Sequence, residues 1–113
     1  MRDHSELTLR KQRDFSRVYN RGKSKGSRFV VVLYKKNGLD HSRTAFVASK
    51  KVGNSVMRNR ARRLMKASYR ALSERIASGY DIIFVARAGI CDHKECDVES
   101  CMRSALKNCG LIK

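Results

Sequence analysis

The apolar and polar positions along the chain mark three short runs that are typical of β-strands. All three runs are rich in β-branched and aromatic residues, and the first and third are apolar at consecutive positions, as in strands covered on both faces. They span residues 28–35, 44–49 and 80–87. A turn around Asn37-Gly38 separates the first two. This dipeptide is typical of hairpins, although the connection is longer than a tight two-residue loop.

Apolar residues at spacings of three and four predict three helices. The second is the longest, with Asn54 or Ser55 as its N-cap, and Asp97 is positioned to cap the third. The helices span residues 12–20, 55–78 and 97–109. The order helix, strand, strand, helix, strand, helix predicts an α/β fold in which helices pack on a sheet.

The composition indicates one domain and an anionic partner. The chain has 113 residues, with 26 Lys and Arg against 10 Asp and Glu, a net charge of +16. Residues 1–90 carry the whole excess, while 1–9 read as a loosely held arm. Nucleic acid is the leading partner because a polyanion relieves the repulsion among these charges. A membrane surface is second, and the absence of Trp disfavours it.

The lack of membrane-spanning and secretory signals favours a cytoplasmic protein, and the cysteine spacing disfavours a structural zinc site. No apolar run approaches the roughly 20 residues that a membrane-spanning helix needs, and no apolar segment follows a basic start. The spacing of Cys91, Cys96, Cys101 and Cys109 lacks the paired C-x-x-C of structural zinc sites. We interpret Cys101 and Cys109 as small buried apolar residues of a last amphipathic helix.

The long second helix combines an apolar face with a basic ridge. Its apolar face comprises Met57, Ala61, Leu64, Ser68 and Leu72. Its basic ridge comprises Arg58, Arg62, Lys66 and Arg70, spaced by four. Residues 50–70 contain eight basic residues and no acidic one, whereas a solvated structural face normally mixes both signs. This pattern indicates a surface that binds phosphates, and backbone N–H groups of the loop 51–55 add a further anion site.

The first helix suggests a different contact. Phe15 and Tyr19 lie four residues apart and are flanked by Arg13, Arg17 and Arg21. Aromatic rings interleaved with guanidinium groups suit unpaired bases, which stack on the rings while cations meet their phosphates. The alternative is that both rings only dock the helix on the sheet. No motif for metal-dependent, nucleophilic or nucleotide-dependent catalysis is present, so no protein residue is assigned a catalytic role.

Residues 49–64, SKKVGNSVMRNRARRL, resemble the signature of the bacterial ribonuclease P protein component, with an Arg-Asn-Arg core on a long helix. Residues 14–19 are similar to that family's first helix and 80–87 to its last strand. The resemblance covers roughly residues 7–110, and its middle motif is the specific part.

The resemblance implies an α+β sandwich: a four-stranded sheet, about three helices and a left-handed βαβ crossover that carries the basic helix. The general rule for crossovers predicts the opposite hand. It also implies a protein subunit that helps a catalytic RNA to remove the 5′ leader from precursor tRNA. The RNA and its bound Mg²⁺ would perform the hydrolysis, with no obligate protein partner.

The resemblance also implies two groups of site residues. Contacts to the catalytic RNA would come from Lys50, Lys51, Asn54, Arg58, Asn59, Arg60, Arg62, Arg63 and Lys66. Contacts to the leader would come from Phe15, Arg17, Tyr19 and Tyr34. The assignment of Tyr34 depends on the strand register, since a shift of one residue turns a side chain to the other face.

Two other classes share the size and charge of this chain. A small ribosomal protein would not require an aromatic cleft for a leader. A DNA-compacting protein would prefer duplex DNA, and the aromatic residues of the first helix argue against it.

Overall fold

The computed structural model describes residues 8–112, which form an α+β fold with four strands and three α-helices. In chain order these are α1 (Gln12–Arg21), β1 (Lys23–Gly26), β2 (Val30–Lys36), β3 (Arg43–Val47), α2 (Ser55–Leu72), β4 (Tyr80–Ala86) and α3 (Glu95–Cys109). Short 3₁₀ turns follow α2 and precede α3, at Ser73–Arg75 and Ile90–Asp92. No helix within the described range is long and apolar enough to cross a membrane.

The four strands form one mixed sheet in the order β1-β2-β4-β3. β4 pairs antiparallel with β2 and parallel with β3, so β3, α2 and β4 form a βαβ crossover that carries the basic helix. The four-stranded sheet implied by the resemblance is confirmed. The hairpin suggested by Asn37-Gly38 is wrong, because β2 and β3 are not neighbours. β4 lies between them, since its apolar residues need cover on both faces.

The apolar pattern of the sheet predicts its two packing layers. Ile82 and Phe84 face the larger core beneath α2 and α3, while Ile83 belongs to a smaller cluster beneath α1. All three side chains are fully buried. The expectation that this strand is covered on both faces is therefore confirmed.

β1 was missed by the sequence analysis. Its residues, Lys-Ser-Lys-Gly, are all exposed and carry no apolar signal. It forms because its backbone pairs with β2 from Lys23 opposite Tyr34 to Gly26 opposite Val31. Lysines on an edge strand also disfavour pairing with another chain.

Helix α2 begins where it was predicted to begin but ends earlier, and its buried face differs from the prediction. It stops at Leu72 rather than near residue 78, because a 3₁₀ turn follows it and leads to buried Ile76. Met57 is 37% exposed, whereas Met65, which the helical wheel left out, is fully buried. Met57 packs instead over Gly53 in the preceding loop, where a Cβ atom would lie 2.5 Å from its sulfur.

Two smaller expectations are corrected by contacts within the fold. Leu9 is buried and its N–H donates to the carbonyl oxygen of Thr44, so the loosely held arm does not extend to residue 9. Residues 1–7 of that arm lie outside the described residues. Cys101 and Cys109 are only partly buried against the larger core, and all four thiols are free.

A cluster of charged residues ties α1 to the parallel strand pair. Arg43 on β3 donates to both carboxylate oxygens of Asp81 on β4, at 2.8 and 2.7 Å. Its Nη1 also lies 3.6 Å from Asp14 on α1. Both carboxylates are buried, and Asn37 donates a further hydrogen bond to Asp81 at 3.0 Å. Hydrogen bonding to Asp81 raises the pKa of Arg43, so the cluster holds a permanent cation between two acids.

We expect Arg43→Ala to lower the free energy of unfolding by about 3 kcal/mol, because it leaves buried Asp81 without its cation and leaves buried Asp14 with only Arg17, 3.9 Å away. Urea unfolding monitored by circular dichroism measures this change. The double variant Arg43→Ala/Asp81→Asn should recover part of the loss, since it removes one uncompensated charge. An unchanged unfolding midpoint in the single variant would contradict this role.

Candidate nucleic-acid interface

The loop before α2 presents the start of that helix to solvent. Asn54 is the N-cap, and its Oδ1 accepts a hydrogen bond from the N–H of Met57 at 3.0 Å. This confirms one of the two predicted caps. Gly53 has a φ of 145°, which side-chain-bearing residues rarely adopt. Lys50 and Lys51, in the turn before it, are exposed.

The basic residues of α2 have no acidic partners in the described part of the chain: none of the ion pairs found there involves them. Their hydrogen bonds go to neutral groups. Arg62 donates to Oδ1 of Asn59 at 2.8 Å, and Arg58 donates to Oγ of Ser55 at 3.1 Å. The charges therefore remain available to an external anion.

Arg58 and Arg60 differ in the hydrogen bonding of their Nε atoms. The Nε of Arg58 is the one buried side-chain nitrogen or oxygen within residues 8–112 that has no hydrogen-bond partner. The Nε of Arg60 donates to the carbonyl oxygen of Cys91 at 3.3 Å, and the thiol of Cys91 donates to the carbonyl oxygen of Met57 at 3.1 Å. The 3₁₀ turn before α3 thus braces the first turns of α2.

A cleft of about 400 Å³ lies along β3, the last strand of the sheet, between α1 and α2. Its apolar and aromatic wall combines Phe15 of α1 with strand residues of β3, and its basic wall comes from α2. The lining comprises Thr8, Leu9, Phe15, Thr44, Ala45, Phe46, Val47, Arg62, Lys66, Tyr69 and Arg70. A cleft with an apolar wall and a cationic wall suits a single-stranded nucleic acid.

Three aromatic rings fix the inner part of this cleft. Phe46 stacks on Phe84 with centroids 5.3 Å apart, and Tyr69 meets both rings edge-on at 5.8 and 5.6 Å. Burial raises the pKa of the Tyr69 phenol, so it remains a neutral hydrogen-bond donor. Because Phe84 is fully buried, the sheet core sets the position of the rings that line the cleft.

The structure places the predicted leader residues of α1 at different depths. Phe15 packs against the small apolar cluster and also lines the cleft, so docking on the sheet leaves part of its ring accessible from the cleft. Tyr19 is 48% exposed on the next turn, and partial burial raises its pKa. Arg17 lies 3.9 Å from Asp14. Neither Tyr19 nor Arg17 lines the cleft.

The structure separates Tyr34 from the other predicted leader residues. Tyr34 packs against the larger core on the α3 side of the sheet, with its ring 6.3 Å from that of Tyr80. Leu33, one position earlier, belongs to the cluster beneath α1 with Phe15. Because successive side chains in a strand alternate faces, the placement of Tyr34 in the leader cleft is corrected.

The basic ridge of α2 divides between two surfaces. Arg62 and Lys66, which the resemblance assigned to the catalytic RNA, line the cleft together with Arg70. Arg58, Arg60 and Arg63 do not line it. The four-residue spacing of Arg62, Lys66 and Arg70 was visible in the sequence, but their position opposite Phe15 was not. No motif in the sequence singled out Tyr69 and Phe46, which also line the cleft.

Comparisons with known proteins agree with this architecture. The family model described as Ribonuclease P matches residues 4–110. Proteins named ribonuclease P protein component include one from Alkaliphilus oremlandii, 42% identical over 104 residues, with 92% of this chain and 91% of the relative covered. Another, from Clostridium botulinum, is 43% identical over 107 residues and covers 94% and 96% of the two chains.

Solved structures of similar proteins have the same fold. The RNase P protein of Staphylococcus aureus superposes with a TM-score of 0.84 at 30% identity, covering 95% of this chain and 98% of that one. The RNase P protein of Thermotoga maritima gives a TM-score of 0.81, also at 30% identity, with 89% and 96% covered. The chain therefore belongs to the family of ribonuclease P protein components.

Proposed function

We propose that this protein is the RNA-binding subunit of a ribonucleoprotein endoribonuclease that removes the 5′ leader from precursor tRNA. One observation supports this most strongly: a single helix presents basic residues that have no acidic partner within residues 8–112, and its later turns form the cationic wall of an aromatic cleft. The first feature suits a folded RNA, and the second suits an unpaired strand.

The catalytic RNA occupies the first turns of α2 and the loop before them in this proposal. The contacting side chains are Lys50, Lys51, Asn54, Arg58, Asn59, Arg60 and Arg63. Arginine forks bridge phosphate oxygens, while the capped helix start adds the positive end of its dipole.

The single-stranded leader occupies the cleft. Its bases face Phe15 and the aromatic residues of the inner cleft, while its phosphates face Arg62, Lys66 and Arg70. Successive residues of this ridge lie about 6 Å apart along the helix axis, which is comparable to phosphate spacing along a strand. Arg62 and Lys66 are thus proposed to contact the leader rather than the catalytic RNA. Tyr19 extends the same face of α1.

The chemistry is proposed to belong to the RNA subunit and its bound Mg²⁺. Asp14 and Asp81 do not offer an open metal site, because both are buried and both approach the Arg43 guanidinium. The protein's contribution is to bind both RNAs and to offset phosphate repulsion between them. We further propose that it acts in the cytoplasm without an obligate protein partner.

We expect the purified chain alone to cleave nothing and to lower the Mg²⁺ concentration that a clostridial ribonuclease P RNA needs to process precursor tRNA. The physical reason is that the basic surfaces replace counterions that Mg²⁺ otherwise supplies. Gel assays of cleavage across a Mg²⁺ titration measure this effect.

A small ribosomal protein would bind precursor and mature tRNA equally, with the catalytic RNA present. Robust cleavage by the protein without metal would overturn the proposal.

Arg63→Ala and Arg70→Ala form a matched pair, since both residues are exposed on α2 and only Arg70 lines the cleft. We expect Arg63→Ala to weaken binding to the catalytic RNA and to reduce its salt slope by about 1. Arg70→Ala should spare that affinity and reduce the preference for leader-bearing substrate. Filter binding across a salt titration distinguishes the two. Identical behaviour of both variants would contradict the division of the ridge.

Phe15→Leu tests the aromatic contact while keeping apolar packing against the small cluster. We expect it to fold and to reduce the preference for precursor over mature tRNA by about tenfold, because a stacked base contributes about 1–3 kcal/mol. Competition binding to the assembled ribonucleoprotein measures the preference, and thermal unfolding measures the packing. A variant with intact leader preference and lower stability would show that Phe15 acts only in the core.

A further inference from the structure

A second basic surface lies around the open end of the β1–β2 pair. Arg21, Lys23, Lys35 and Lys36 line a cavity of about 300 Å³ together with Gly22, Tyr34, Tyr80 and Cys109. We call this surface the hairpin patch. No residue of α2 lines it, so it is separate from the surfaces assigned above.

The sheet register pairs lysines with aromatic rings in the hairpin patch. Lys23 lies opposite Tyr34 across β1 and β2, and Lys36 lies opposite Tyr80 across β2 and β4. Paired residues share one face of a sheet, so both lysines flank the two tyrosine rings. No acidic residue of the described range lines the cavity. The result is an arrangement of cations and rings that suits RNA, and lysine binds phosphate as a point charge.

Close backbone packing fixes the geometry of this patch. A Cβ at Gly22 would lie 2.5 Å from the carbonyl oxygen of Val18 and 2.7 Å from that of Tyr34. Only glycine therefore allows α1 to end directly against β2, which brings Arg21 and Lys23 to the cavity. Burial and the neighbouring Cys109 raise the pKa of the Tyr34 phenol, which stays neutral and able to donate a hydrogen bond.

Helix α1 connects this patch with the cleft. Phe15 lines the cleft, Tyr19 is 48% exposed one turn later, and Arg21 lines the hairpin patch. Six helical residues advance about 9 Å along the axis, a distance that a few nucleotides of single-stranded RNA span. The cavity is small and partly aromatic, which favours an unpaired strand over a duplex.

We propose that the hairpin patch binds the 5′ leader beyond the nucleotides held in the cleft, through phosphate contacts to Lys23 and Lys36. This inference rests on the proposed function. It explains why a side of the molecule that α2 does not line carries four basic side chains around two tyrosine rings. It predicts that the protein distinguishes long leaders from short ones.

The test uses the chain assembled with the catalytic RNA of Clostridium botulinum ribonuclease P. The substrates are precursor tRNAs with leaders of roughly 5 and 15 nucleotides, which lie near the two ends of the range of site sizes for single-strand binding. The wild type should bind the long leader more tightly. Lys23→Gln/Lys36→Gln should abolish this gain and reduce the salt slope for the long leader by about 1.4, the value for two contacts to a single strand. The control variant Arg103→Gln/Lys107→Gln removes the same charge from two exposed residues of α3 that line none of the cavities. It should still bind the long leader more tightly than the short one.

The proposal would be overturned if Lys23→Gln/Lys36→Gln still bound the long-leader substrate more tightly than the short-leader one. It would also be overturned if that variant bound the catalytic RNA more weakly in the absence of substrate. If the wild type fails to prefer even a short leader over mature tRNA, the proposed function itself fails. If that preference is present and leader length has no effect, only the hairpin patch assignment fails.

Lysine acetylation of the unmodified protein gives a second measurement that no folding defect can affect. Mass spectrometry should show Lys23 and Lys36 protected by the long-leader substrate and not by the short one. Lys50 and Lys51 should be protected by the catalytic RNA alone, and Lys107 should react equally in all samples. Equal reactivity of Lys23 and Lys36 with both leaders would contradict the proposal.

Discussion

The guanidinium group of Arg43 connects the three elements on which the cleft depends. It is hydrogen-bonded to Asp81 of β4, lies on β3 and approaches Asp14 of α1, the residue before Phe15. A buried carboxylate without a cation is strongly destabilising, so these three side chains fix one relative position of the helix and the strand pair. The distance between Phe15 and the basic wall of α2 follows from this arrangement, because the crossover places α2 beside the same strand.

The basic residues of α2 are arranged in the opposite way to Arg43, since they are not paired with carboxylates of the described residues. A chain with a net charge of +16 lowers its self-repulsion by keeping cations on the surface, and α2 carries its cations without acidic partners in the described structure. That arrangement is unfavourable for an isolated helix, since like charges four residues apart repel. It becomes favourable when RNA supplies the negative charge. Stability of the free protein and affinity for RNA therefore depend on the same side chains in opposite ways.

The structure divides these surface cations among three places. The first turns of α2 and the preceding loop form one surface, the later turns face the cleft, and the hairpin patch lies beyond the end of α1. Each place differs in its neighbours: a capped helix start, a wall of aromatic and apolar residues, and a pair of tyrosines. The differences suit a folded RNA at the first surface and an unpaired strand at the other two.

The sequence alone determined the elements with a strong apolar signal and the basic ridge of α2, and it narrowed the cap of α2 to Asn54 or Ser55, because these features depend on residues close together in the chain. It missed β1, whose four residues bury no apolar side chain and whose pairing depends on β2. It also left open the face of Tyr34, since one residue of register reverses it. Only the tertiary structure placed Arg62, Lys66 and Arg70 opposite Phe15. Residues about 50 positions apart meet there because β3 forms the edge of the sheet and α2 packs beside it, a choice that no local pattern encodes.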